Sequence, residues 1–215
     1  LDSLRALAII LVLMTHYRLF SNEYTFGFLT AIGWTGVDLF FVLSGYLIGN
    51  QIFATLAKGQ TLPFANFYSR RLLRTLPNYY VVLAIYFLFP AALSGEFRAP
   101  LWEFLTFTQN NGLRLNHTFT HSWSLCIEEQ FYLLFPAMVF IAFKSRHALS
   151  IIWLSISAMF LFAMAYRAFN WQEHGQAAIT WGDYWQHIYY SSFTRFDELL
   201  PGMAIALIKN FYPTF

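Results

Sequence analysis

The stretch SWSLCIEEQFYLLFP, residues 122–136, decides the fold of this chain. It reads as the start of an apolar helix that enters a membrane, yet Glu128 and Glu129 stand side by side within it. An ionisable side chain in hydrocarbon costs on the order of 3 kcal/mol, so such residues usually serve a function and face the protein interior. We therefore expect a membrane helix whose carboxylates meet groups on other helices.

The composition supports a membrane protein. Of the 215 residues, 58% are hydrophobic and only 11% are charged. A soluble domain carries about 25% charged residues, so this chain lacks the polar surface that a soluble core would need. A formal net charge of +2 is too small to indicate a nucleic-acid partner. Cys126 is the only cysteine, which excludes an intrachain disulfide.

Hydropathy predicts the membrane spans, since a spanning helix needs about 20 mostly apolar residues. The predicted spans are residues 4–20, 33–57, 76–94, 122–143, 148–169 and a sixth that starts near 196. Residues 101–109 are too few to span and are predicted to be interfacial or re-entrant. Strand-like alternation is absent, so we predict an all-α, polytopic transmembrane helix bundle. Gly45 and Gly49, four residues apart, predict close helix packing.

The two ends suggest a piece of a larger bundle. The sequence begins at Leu1 with a helix already in progress and ends at Phe215 soon after the sixth span has started. We expect residues 1–215 to form a single transmembrane domain that is truncated at both ends.

The distribution of Lys and Arg predicts the orientation. The basic loops are residues 58–75 and 144–147, whereas loop 95–121 carries only Arg98 and Arg114. Cytoplasmic loops are enriched in Lys and Arg, so the two basic loops are expected in the cytoplasm. The aromatic residues between 171 and 190 would then lie at the far surface, where membrane anchoring and ligand contact are equally good explanations.

Three ionisable residues are predicted to lie at similar depths in the outer half of the membrane. His16 lies on a span predicted to run outward, and Asp38 and Glu128 lie on spans predicted to run inward. We therefore expect the three side chains around one cavity in the outer half of the bundle. An imidazole with carboxylates nearby is the arrangement that general base catalysis requires. The alternative is structural, because a membrane histidine or carboxylate also serves as an interhelical hydrogen-bonding group or a helix cap.

Four arginines are predicted on the inner side. Arg5 lies on the same helical face as His16, roughly 16 Å away along the axis. Arg70, Arg71 and Arg74 follow in the stretch YSRRLLR, and the last two are one helical turn apart. Guanidinium groups bind phosphates in a bidentate manner. Ordinary positive-inside topology explains the same residues equally well.

Five stretches in this order resemble the membrane-bound acyltransferase 3 family, the O-acetyltransferases of bacterial surface polysaccharides. They are LDSLRALAIILVLMTHY, GVDLFFVLSGYLI, FYSRRLLR, HSWSLCIEEQFYLLFP and RFDELLPGMAIAL. The family's Arg-x10-His pattern falls on Arg5 and His16, and its Arg-x-x-Arg pattern on Arg71 and Arg74. Its Trp-Ser-Leu-x-x-Glu pattern ends on Glu128.

The resemblance implies an acyltransferase of the bacterial cytoplasmic membrane that moves an acyl group, expected to be acetyl, from acyl-CoA to a hydroxyl of a surface carbohydrate. His16 would be catalytic, with Asp38 or Glu128 orienting its ring. The arginines at 5, 70, 71 and 74 would contact acyl-CoA, a co-substrate, and no permanent cofactor or metal is expected. Family members have about ten spans, of which about six are present here.

Two other classes of protein remain open on the residues alone. A polytopic transporter would use the same buried charges for proton or solute movement. A non-catalytic membrane scaffold would use them as interhelical contacts. Transfer of label from acetyl-CoA to glycan separates the enzyme from both.

Overall fold

The computed structural model describes residues 1–21, 27–90, 92–93, 99–113, 118–175 and 181–212, and every regular element within these ranges is a helix. The all-α prediction is therefore confirmed. The α-helices are α1 (Asp2–Ser21), α2 (Phe28–Ile32), α3 (Thr35–Ala57), α4 (Phe64–Leu88), α5 (Leu101–Leu105), α6 (Trp123–Ala142), α7 (Ala148–Gly175), α8 (Trp181–Tyr184), α9 (Ser192–Arg195) and α10 (Leu200–Phe211). The loop arginines Arg98 and Arg114 lie outside the described residues.

Within the described residues, three helices are long and apolar enough to cross a membrane: Thr35–Ala57, Thr120–Ala142 and Ala148–Glu173. They coincide with the spans predicted at 33–57, 122–143 and 148–169. Helices α1 and α10 form at the first and the last predicted spans. The chain is thus a polytopic helical membrane protein.

Helix α4 differs from the prediction. It begins at Phe64, twelve residues before the predicted start of the span at residue 76, and ends at Leu88. The segment around Arg71 is therefore helical and not part of a loop. Hydropathy did not predict the helical segment 64–75 because it measures apolar character alone. Arg and Leu are both good helix formers whatever their polarity.

The chain divides into two compact units, and the first contains Leu1–Ala54 and Asp197–Phe215. Within it, α3 and α10 run in the same direction, since Gly49 faces Ala206 and the later Phe53 faces Phe211, and their backbones are very close. A Cβ on Gly45 would overlap the carbonyl oxygen of Leu199, and a Cβ on Gly202 would overlap that of Val42. The close packing predicted from the α3 glycines is confirmed, and its partner is α10.

The second unit is Thr55–Phe196. Here α4 packs antiparallel to α6. The rings of Phe64 and Phe140 are 4.9 Å apart, and the Tyr68 hydroxyl donates to the Leu133 carbonyl at 2.9 Å. Further along α4, Tyr79 belongs to a buried cluster with residues from the start of α6. The middle of this interface is occupied by Arg71.

The segment predicted to be interfacial or re-entrant packs into the core of the second unit. Phe104, in α5, is 1% exposed, and the ring of Phe107 lies 4.5 Å from that of Tyr79. The Tyr79 hydroxyl donates to the Phe104 carbonyl at 3.0 Å. A short helix followed by a buried turn thus brings the polar residues 109 and 110 against α6.

Candidate active site

Arg71 lies where α4 contacts α6. Its Nη2 is 3.8 Å from Oε2 of Glu128, and the two side chains are only 21% and 19% exposed. Both residues were predicted from the sequence, but on opposite sides of the membrane. The structure brings them together because Arg71 lies well inside α4, opposite the first half of the antiparallel α6.

Tyr132 completes this arginine cluster, which consists of Arg71, Glu128 and Tyr132. The guanidinium carbon of Arg71 lies 3.5 Å from the centre of the Tyr132 ring. The Tyr132 hydroxyl donates to Oε2 of Glu128 at 3.0 Å, one turn back on the same helix. Sequence reasoning missed Tyr132, although its spacing of four from Glu128 puts both on one helical face.

Two polar atoms at the cluster are buried without a hydrogen-bond partner among the described residues. They are Nε of Arg71 and Oε1 of Glu129. Glu129 also experiences the Arg71 charge and a hydrogen bond from Thr75, one turn further along α4. A buried donor and a buried acceptor are therefore unsatisfied next to an ion pair, which is unusual in a protein core.

The other two arginines of the YSRRLLR stretch have different surroundings. Arg70 and Arg74 are both exposed on α4, whereas Arg71 is half-buried against α6. The single phosphate-binding patch predicted for Arg71 and Arg74 therefore contains one enclosed and one exposed guanidinium.

His16 is exposed on α1, and its Nδ1 is 2.8 Å from the Val12 carbonyl oxygen one turn back. A carbonyl oxygen only accepts hydrogen bonds, so Nδ1 carries the hydrogen in this geometry. The neutral ring then has its lone pair on Nε2, which is the form a general base needs. The helix backbone itself supplies the group that selects this tautomer.

Asp38 and Arg5 belong to the same unit as His16. Asp38 is half-buried in the first turn of α3. Arg5 pairs with Asp2 at 3.1 Å, and the Asp2 side chain is 95% exposed. Glu128 belongs to the second unit, so the meeting of His16, Asp38 and Glu128 around one cavity stays a prediction.

A closed ring of hydrogen bonds links three remote segments of the second unit. Asn110 Nδ2 donates to Ser192 Oγ at 2.8 Å, Ser192 Oγ donates to Gln130 Oε1 at 2.6 Å, and Gln130 Nε2 donates to Asn110 Oδ1 at 3.2 Å. Gln130 also donates to the Phe107 carbonyl at 2.7 Å. Neither Asn110 nor Ser192 was predicted from the sequence, and the polar run TQNNG, residues 108–112, is the signal that could have indicated Asn110.

Gln109 occupies a second buried polar position. Its Nε2 donates to the Tyr79 and Ser122 hydroxyl oxygens, both at 3.1 Å. Its Oε1 is buried without a hydrogen-bond partner among the described residues. Gln109 and the closed ring of hydrogen bonds thus connect the segment after α5 to α4 and to the N-terminal end of α6.

Two members of the aromatic cluster predicted to lie at the membrane surface, Tyr189 and Tyr190, are buried inside the second unit. Tyr189 and Tyr190 are 8% and 5% exposed and pack on Trp123 with ring separations of 4.8 and 5.4 Å. Burial raises the pKa of Tyr190 above its usual range. Arg195 is 8% exposed and lies 4.7 Å from the Tyr189 ring. Trp171, at 46% exposure, remains a candidate anchor.

Helices that can cross a membrane, together with a half-buried arginine–carboxylate cluster inside one unit, define a polytopic membrane protein with an ionisable interior site. Residues 1–212 match the acyltransferase 3 family, described as an acyltransferase domain, and the chain belongs to this family. The resemblance seen in the five motif stretches is thereby confirmed.

The chain is similar to several bacterial proteins. It is 28% identical to peptidoglycan O-acetyltransferase OatA of Listeria monocytogenes, over 98% of this chain and 34% of that protein. It is 30% identical to putative peptidoglycan O-acetyltransferase YrhL of Bacillus subtilis, over 97% of this chain and 33% of that protein. It is 29% identical to O-acetyltransferase OatA of Staphylococcus aureus, over 97% of this chain and 34% of that protein. The chain spans about one third of the length of these relatives, and no solved structure matches it.

Proposed function

We propose that this chain is the membrane part of an O-acetyltransferase that moves an acetyl group from acetyl-CoA to a hydroxyl of a cell-wall carbohydrate. Its family membership and the names of its relatives support the reaction class and make peptidoglycan the first acceptor to test. The proposed location is the bacterial cytoplasmic membrane, with acetyl-CoA arriving from the cytoplasm. The observation that carries the proposal is the His16 ring, whose Nδ1 is held by a backbone carbonyl.

The proposed chemistry is one acyl transfer. Nε2 of His16 takes the proton of the acceptor hydroxyl, and the oxygen attacks the thioester carbonyl. The C–S bond breaks, and CoA leaves as a thiolate that receives the proton from the imidazolium. Asp38 or Glu128 would stabilise the positive ring during the reaction. The guanidinium groups of Arg5, Arg70, Arg71 and Arg74 would hold the phosphates of the donor.

The test replaces His16 in the full-length protein. Membranes that contain the His16→Gln variant should transfer labelled acetyl groups from acetyl-CoA to glycan about 10²- to 10⁴-fold more slowly, the usual contribution of a general base. His147→Gln is the matched control, because His147 is an exposed histidine in the connection between α6 and α7.

The control variant should transfer label at the wild-type rate. A correctly inserted His16→Gln protein with wild-type turnover would remove His16 from the mechanism. Wild-type membranes that take up or release a solute but never label glycan would instead favour the transporter alternative.

A further inference from the structure

Arg71 is held on two sides by α6. On one side is the Glu128 carboxylate, 3.8 Å from Nη2, and on the other is the Tyr132 ring, 3.5 Å from the guanidinium carbon. The second distance is direct contact with the ring face, where a cation is attracted by the π electrons. An arginine that only marks the cytoplasmic side needs neither contact, and Arg70 and Arg74 are exposed on the same helix.

Tyr132 connects the two contacts. Its hydroxyl donates to Oε2 of Glu128, the same oxygen that lies nearest to Arg71. The tyrosine is 2% exposed, so its ring has little freedom to move. The ring thus supports the guanidinium while its hydroxyl fixes the carboxylate that faces it.

The arrangement leaves hydrogen-bonding capacity on Arg71 unused. A separation of 3.8 Å is an ion pair but is too long for a hydrogen bond, and Nε of Arg71 is buried without a partner among the described residues. A guanidinium has five N–H donors. Glu128 and Tyr132 therefore orient the group without occupying its donors, which suits the binding of an anionic ligand.

We infer that Glu128 and Tyr132 are positioning residues that hold the Arg71 guanidinium in one orientation for the acyl-CoA donor. This inference rests on the proposed function and assigns Glu128 to the arginine, which leaves Asp38 as the carboxylate for His16. A long side chain that is already ordered loses less entropy when its ligand binds, so the donor binds more tightly. Loss of either support should weaken donor binding more than it slows turnover.

The experiment measures kcat and the KM for acetyl-CoA in membranes with the full-length protein. Tyr132→Leu removes ring and hydroxyl and should raise this KM about tenfold, as expected for loss of a desolvated cation–π contact and its supporting hydrogen bond. Tyr132→Phe keeps the ring and should raise it about threefold. Glu128→Gln removes the charge and should also raise the KM for acetyl-CoA, and its effect on kcat should be smaller than its effect on this KM.

Tyr68→Phe is the matched control. Its hydroxyl also bonds across the α4–α6 interface, to the Leu133 carbonyl, but it is no part of the arginine cluster. It should leave the KM for acetyl-CoA unchanged. If Tyr132→Leu fails to insert, Tyr132→Phe and Glu128→Gln carry the same comparison.

A double-mutant cycle separates positioning from general packing. If Tyr132 acts through Arg71, Tyr132→Leu should raise the KM less than about twofold in an Arg71→Ala background. A tenfold rise in the KM for acetyl-CoA in both the wild-type and the Arg71→Ala background would overturn the inference. So would an unchanged KM in Tyr132→Leu, Tyr132→Phe and Glu128→Gln. The proposed function fails separately, when wild-type membranes show no transfer from acetyl-CoA at all.

Discussion

Arg71 and Arg74 are three residues apart and carry the same charge, yet their surroundings differ. Arg71 is half-buried and contacts Glu128 and Tyr132, whereas Arg74 is exposed. A charge-assisted hydrogen bond is worth about 1.5–3 kcal/mol when its charged partner is desolvated. A solvent-exposed pair is worth about 1 kcal/mol or less. The two arginines should therefore contribute unequally to donor binding.

We expect Arg71→Ala to raise the KM for acetyl-CoA about 10- to 100-fold, since that range corresponds to the energy of a charge-assisted bond. Arg74→Ala should raise it about threefold. Arg71→Lys should recover only part of the loss, because an ammonium cannot form the planar, bidentate contact. Steady-state kinetics in membranes, with the acceptor at saturation, measure all three.

The KM for the acceptor serves as the internal control and should stay constant in these variants. Equal effects of Arg71→Ala and Arg74→Ala would contradict the distinction between the two positions. Unchanged kinetics in both variants would mean that Arg71 and Arg74 only set the membrane topology and do not bind the donor.

At the scale of helices, the first unit depends on backbone contact between α3 and α10. Without a strong hydrophobic force between helices in lipid, close packing of small residues provides much of the attraction. A Cβ at Gly45 or Gly202 would overlap a backbone carbonyl of the facing helix. A Cβ at Gly49 would meet the side chain of Ala206 at 3.0 Å, which a small adjustment can relieve.

We therefore expect Gly202→Ala to destabilise the protein by about 1–3 kcal/mol, the usual cost of overpacking. Gly49→Ala should cost less, and it is the matched control in the same interface. Thermal unfolding of the detergent-solubilised protein, followed by circular dichroism, gives the comparison. A Gly202→Ala protein as stable as the Gly49→Ala protein would mean that α3 and α10 are not in backbone contact.

At the scale of the whole molecule, the basic residues predict how the chain crosses the membrane. Lys58 lies in the connection between α3 and α4, just before the three arginines in the first half of α4, and Lys144 and Arg146 lie between α6 and α7. These connections are expected in the cytoplasm, and the end of α7 on the opposite side. The cysteine content makes this expectation simple to test, because Cys126 is fully buried.

The prediction uses a Cys126→Ala background with one new cysteine at exposed Gln60 or exposed Glu173. A membrane-impermeant maleimide added to intact spheroplasts should label Glu173→Cys directly, but Gln60→Cys only after the membrane is opened. The Cys126→Ala parent provides the unlabelled control. The reverse pattern would invert the topology and move the proposed donor-binding arginines away from the cytoplasm.

The sequence by itself determined the helical membrane class, the family and most of the helix positions. These follow from local properties, because apolar content and short motifs can be read without knowing which segments meet. The close packing at Gly45 also belongs here, since a small residue on an apolar helix implies a near neighbour. The sequence did not identify that neighbour as α10.

Only the tertiary structure decided which polar residues meet. Arg71 and Glu128 are 57 positions apart, and depth estimates separated them because the start of α4 was placed too late. Asn110 and Ser192, 82 positions apart, showed no sequence signal for their contact. Periodicity fixes the face of one helix on which a residue lies. The rotation and register of one helix against another depend on the packing of whole surfaces, and that is why these pairings appear only in the folded chain.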